Sequence, residues 1–120
     1  MTDRELLEKA AKAAGYKLRW GEKFIVGDDE VDCTDMPYVF SGHPDEADWY
    51  WNPLTDDGDA LRLAVNLGIQ VTPGTYNKDE FTAFKAAGGE AHEFRSYQQD
   101  EFAATRRAIV RAAAAIGESL

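Results

Sequence analysis

The chain has 120 residues, a formal net charge of −9 and a pI near 4.6. That length suits a single domain over residues 1–120, able to fold without a metal or a disulfide. The charge repels phosphate backbones at long range and so disfavours nucleic acid as a partner unless a local basic patch overrides it. The lone cysteine, Cys33, excludes an internal disulfide and a thiolate zinc cluster.

The first predicted element is a helix from Asp3 to Ala14. Leu6, Leu7, Ala10, Ala11 and Ala14 recur at helical spacing, Thr2 and Glu5 have the form of a capping box, and Gly15 stands at the stop. Glu5–Lys9 and Glu8–Lys12 are i,i+4 pairs in the favourable order. Two short strands follow around Gly21-Glu22, over Tyr16–Trp20 and Lys23–Val26. Tyr16, Leu18 and Trp20 form one apolar face, which Phe24 and Val26 extend. Residues 27–48 read as a long acidic connection whose apolar run, Pro37–Phe40, is placed to add a strand or dock on the sheet. Eleven carboxylates and no Lys or Arg lie between Lys23 and Arg62, half of the chain's 22.

Asp56 to Leu67 predicts a second helix, N-capped by Asp56, with Asp57 and Asp59 at the positive end of its dipole. Leu61, Leu63, Ala64, Val65 and Leu67 make it apolar over a wide face, which predicts a central position. Gly68 ends it, and Ile69–Thr72 reads as a strand. Phe81–Ala86 fits either a helix begun by Asn77 or one arm of a hairpin turning at Gly88-Gly89 into Glu90–Tyr97; the glycine pair favours the hairpin. Asp100 to Ile116 is the clearest helix, with Phe102, Thr105, Ile109, Ala112, Ala113 and Ile116 on one side and Gly117 at its end. The order α–β–β–(loop)–α–β–β–β–α lacks a βαβ rhythm. It predicts an α+β fold, with an antiparallel sheet of about four to five strands and three helices packed mainly on one face.

Catalytic signatures are absent. His43 and His92 stand on different elements, neither with a ligand at i+3 or i+4. Ser41, His43 and Asp45 are too close in sequence to form a triad on their own. Cys33 lies between Asp32 and Asp35, where a thiolate is disfavoured. Asp56, Asp57 and Asp59 lack the spacing of a calcium loop, so neither a metal site nor a cofactor is predicted. A metal-assisted hydrolase joining those aspartates to His43 or His92 is the weakest reading.

Two constellations remain as binding candidates. Asp45, Glu46 and Asp48 lead into Trp49-Tyr50-Trp51, whose tryptophans share a face of an extended segment. They suit either a protein-binding surface, with carboxylates steering association and aromatics as anchors, or core packing against the second helix. Arg106, Arg107 and Arg111 crowd the last helix and suit either phosphate binding or pairing with the chain's own acids. The alanines of that helix also fit close packing, either inside the core or across a two-fold axis of a homo-oligomer.

The segments Trp51–Val65 and Ala103–Ala114 resemble a family of small proteins carried by bacteriophages and prophages of Gram-negative bacteria, and the helix Leu6–Gly15 is similar too. The resemblance covers about a third of the chain and brings no catalytic residues. It implies an accessory protein of the bacterial cytoplasm that acts by binding: blocking a host defence complex, redirecting a host enzyme or modulating transcription. Residues 27–48 and 75–97 depart from the family's pattern, which makes them the place for a specific partner to be read. With no apolar leader and no 18-residue apolar run, no membrane partner is expected.

Overall fold

The computed structural model describes residues 1–40, 48–72, 80–85, 89–94 and 101–120, with side chains described outside 72–94. Its elements are α1 (Asp3–Ala14), β1 (Lys17–Trp20), β2 (Lys23–Val26), β3 (Asp29–Asp32), β4 (Pro37–Phe40), β5 (Trp49–Tyr50), α2 (Asp57–Leu67), β6 (Gln70–Thr72), β7 (Glu80–Lys85), β8 (Gly89–Phe94) and α3 (Glu101–Glu118). The fold is α+β and every strand pairing is antiparallel. Among the described residues the strands form three separate sheets, β1–β4–β5, β2–β3 and β6–β7–β8, rather than one.

Local chemistry sets the helix ends. Thr2 accepts from the Glu5 amide (3.2 Å), and the Asp56 carboxylate accepts from the Asp59 amide (2.8 Å). Gly15 and Gly68 are left-handed, and each opens a Schellman motif in which Tyr16 or Ile69 donates back to Ala11 or Ala64. Both C-cap positions demand glycine for its positive φ.

The core lies between the helices, and α3 is the central one. Ala108, Ile109, Val110, Ala112, Ala113 and Ala114 are buried almost all round its circumference, as expected of a helix packed on several sides. It runs parallel to α1, Asp3 standing by Arg107 and Lys9 by Glu118. It also packs on α2 and lies along β7 and β8. The central position expected of α2 is not found. Leu61 and Val65 of α2 are exposed, and only its Asp59, Ala60, Leu63, Ala64 and Leu67 side is buried. Phe102 of α3, expected on the apolar side, is exposed too. Gly117 does not stop α3, which continues to Glu118. A Cβ at Gly117 would overlap the Lys9 carbonyl, so this glycine sets how closely α1 and α3 approach. The pairs expected within α1 are replaced by Arg4–Glu8 and by Lys9–Glu118 (2.6 Å) across to α3.

Within the acidic connection expected over 27–48, the described residues include two strands, β3 and β4. Gly27-Asp28 is a two-residue turn with Gly27 at φ +64°, which pairs β2 with β3 instead of with β1. The Pro37–Phe40 run pairs with β1 as β4. Over 80–94 the hairpin holds and the helix alternative falls. Gly89 sits in β8 opposite Lys85, so the glycine pair is not the turn itself.

We predict that Gly117→Ala lowers stability by about 1–3 kcal/mol, because backbone rather than a flexible side-chain tip must move to admit the methyl. Urea unfolding of the two proteins measures this.

Candidate functional site

The segment from Trp51 to Arg62 is a structural clasp. Trp51 is 3% exposed, and its amide donates to the Pro37 carbonyl (3.1 Å). Asn52 is the hub of the turn. Its side-chain oxygen accepts from the Leu54 amide (3.0 Å), and its carbonyl accepts from Thr55 and Asp56. Asp59, only 7% exposed, accepts from the Asn52 amide (3.0 Å) and from Arg62 (2.8 Å). The Asp59 contact raises the already high Arg62 pKa. Asp57 pairs with Arg106 (2.6 Å). All three aspartates of the hydrolase reading therefore hold the start of α2. Among the described residues, no group of three His, Cys, Asp or Glu is placed to hold a metal. His43 and the His92 side chain lie outside the described residues.

The arginines of α3 divide. Arg106 turns towards α2, donating to the Leu54 carbonyl (2.9 Å) and to Asp57. Arg107 and Arg111 share an open cavity of about 430 Å³ with Met1, Leu6 and Glu118, and Arg107 donates to Asp3 (3.0 Å). Arg111 is engaged as well. The three do not form one phosphate-binding stripe, and two of them already neutralise acids of this chain.

Asp45 and Glu46 lie outside the described residues. Asp48, Trp49 and Trp51 are separated by the alternation of the β5 segment. Asp48 reaches Arg19, which lies over the Tyr38 ring on the outer face of the β1–β4–β5 sheet. Trp49 and Trp51 point the other way, as expected, and both meet the Tyr16 ring edge-on (centroids 6.4 and 5.6 Å). Trp51 is core and therefore drops out as a contact residue. Trp49, 45% exposed, and Tyr50 stay at the sheet edge. Tyr50 stacks edge-on with Tyr38 and accepts from the Asn52 amide side chain (3.3 Å). Trp20 belongs elsewhere: it lies under Arg4 and donates to Glu8 of α1.

A second surface carries no mark in the site expected from sequence. β1 and β2 follow each other through Gly21-Glu22 and pair with the returning β4 and β3, with a kink at Cys33–Asp35 where the register changes. Gly21 donates to Met36 on one side of the kink, and Cys33 donates to Glu22 on the other. The Cys33 carbonyl lies where a Gly21 Cβ would be, so only glycine fits there. Asp32 closes the kink by accepting from the Thr34 hydroxyl (2.6 Å) and amide (2.9 Å). Beyond it, β2–β3 stands out as an arm with all of β2 exposed, and Phe24 and Val26 do not continue the apolar face of β1. The Gly27-Asp28 pair between Val26 and Asp29 was the available sequence signal for this hairpin.

Comparison with protein-family models, with curated proteins and with solved structures finds no match to this chain. Among the described residues, no helix is long and apolar enough to cross a membrane.

Asp59→Ala should cost about 1–3 kcal/mol, since it strips a charged acceptor from a part-buried amide, whereas Arg62→Ala should shift the urea midpoint far less because Arg62 is exposed. The Thr34 hydroxyl, then its amide, holds the Asp32 carboxylate below its ordinary pKa, with Lys23 adding to the effect. A depressed folded pKa stabilises the kink above the unfolded value of about 3.9 and loses that contribution as pH falls through the folded value. Thr34→Val should therefore raise the Asp32 midpoint in a carboxyl ¹³C NMR titration.

Proposed function

We propose that this chain is a phage-derived accessory protein that binds a host or phage protein through an acidic and aromatic surface and so inhibits or redirects it, as an anti-defence factor would. The surface comprises Asp45, Glu46 and Asp48 with the sheet-edge residues Trp49 and Tyr50. The observation that carries this reading is the exposed Trp49–Tyr50 edge, placed directly after a carboxylate-rich segment in a chain of charge −9. Half-exposed aromatics of this kind are frequent anchors at protein interfaces, and surrounding carboxylates steer a basic partner to them. The phosphate-binding alternative is weakened by the pairing of Arg106 with Asp57 and of Arg107 with Asp3. The hydrolase alternative is weakened by the structural use of Asp56, Asp57 and Asp59.

The test starts with affinity capture of the tagged protein from bacterial lysate, with and without nuclease, read by mass spectrometry. A nuclease-resistant protein partner is the expected result; recovery of nucleic acid would favour the arginines of α3. With the partner in hand, the combined change Asp45→Asn, Glu46→Gln, Asp48→Asn should weaken binding and flatten its salt dependence while the circular dichroism spectrum is kept. Trp49→Ala should weaken it by about tenfold or more, the effect of an interface anchor. Unchanged affinity of the triple variant at low salt would reject the surface.

A further inference from the structure

We propose that the β2–β3 arm is a second docking element, which takes an extended, Lys/Arg-bearing segment of another protein as a third strand along the outer edge of β2. This goes beyond the Trp49–Tyr50 surface, which lies at the opposite edge: in the β1–β4–β5 sheet, β1 and β5 are the two outer strands, and β2 continues from β1.

Phe24, Ile25 and Val26 are between 50% and 77% exposed, three large apolar residues in succession. Cross-strand pairing puts Phe24 and Val26 on one face, with Val31 and Asp29. Lys23 and Ile25 lie on the other, with Asp32 and Glu30. Among the described residues, Val31 alone of the two strands is partly covered. An isolated two-stranded ribbon is at best marginally stable in water, so the third strand supplies what this one lacks. Among the described residues, no strand pairs with the outer edge of β1 or β2, which leaves a row of main-chain donors and acceptors from Lys17 to Val26. Strand addition satisfies such a row while side-chain pockets set specificity.

Charge selects the occupant. Glu22–Asp32 holds five carboxylates (Glu22, Asp28, Asp29, Glu30, Asp32) and one lysine, a net charge of −4. A second copy would bring two such arms of net charge −4 together, which like-charge repulsion opposes. Nucleic acid is repelled for the same reason. An extended segment alternating apolar and cationic residues matches both features, its apolar side chains lying beside Phe24 and Val26 and its long cationic side chains on the face that carries Glu30 and Asp32, one strand beyond Ile25.

The experiment is an amide NMR titration of the full chain with a synthetic octapeptide alternating Lys and Val, beside a matched Glu–Val peptide. The expected result is a saturable shift of the amides of residues 22–26 with the Lys–Val peptide, weakened several-fold by added salt. The combined change Phe24→Ser, Val26→Ser should abolish it, and Asp48→Asn should leave it unchanged. Equal binding of the Glu–Val peptide, or no saturable shift at millimolar peptide, overturns the proposal. Concentration-dependent shifts at 22–26 without peptide would make the occupant a second copy and also overturn it. Shifts confined to residues 48–50 would overturn the arm while leaving the Trp49–Tyr50 surface standing.

Discussion

The packing of this protein depends on the approach of α1 and α3 at Gly117. There the Lys9 carbonyl occupies the space a side chain would need, so the two helices meet backbone to backbone. The alanines of α3 extend that closeness along the helix and let neighbours close in on several sides. Small side chains bury little apolar area each, so the bulk of the core comes from partners such as Leu6, Leu7, Leu63, Val39 and Trp51. Because α3 takes the centre, α2 is left at the side. Its second apolar row, Leu61 and Val65, faces solvent.

The segments that look most distinctive in sequence turn out to hold this arrangement together. Trp51 fills the core, Asn52 and Asp59 lock the turn before α2, and Asp57 ties that turn to α3 through Arg106. Carboxylates and guanidinium groups so engaged have little left to offer a ligand.

The outward-facing features lie at two edges of one construction. After β1 and β2 the chain returns through β3 and β4; β4 buries Pro37 and Val39, whereas all of β2 is exposed. The kink at Cys33–Asp35 marks the change, held by Asp32, Thr34 and the close contact at Gly21. At the far edge, β5 presents Trp49 and Tyr50 against the Tyr16 and Tyr38 rings.

The sequence by itself determined the features that close within a few residues. Thr2, Gly15, Asp56 and Gly68 act as read, because a cap is satisfied by atoms of its own turn and needs no distant partner. Strand character over Pro37–Phe40 and in the hairpin of β7 and β8 was legible from a short apolar run and from nearby glycines. Only the tertiary structure decided which strands pair, which helix is central and which aromatic is buried. Pairing β2 with β3 rather than with β1 splits the sheet, although Gly27-Asp28 signalled that turn locally. Trp49 and Trp51 share a face in sequence and in space, yet one is core and the other half-exposed, because burial depends on which surface arrives to cover it. Gly117 reads as a helix stop and serves as a point of contact, since its role is set by Lys9, more than a hundred residues away.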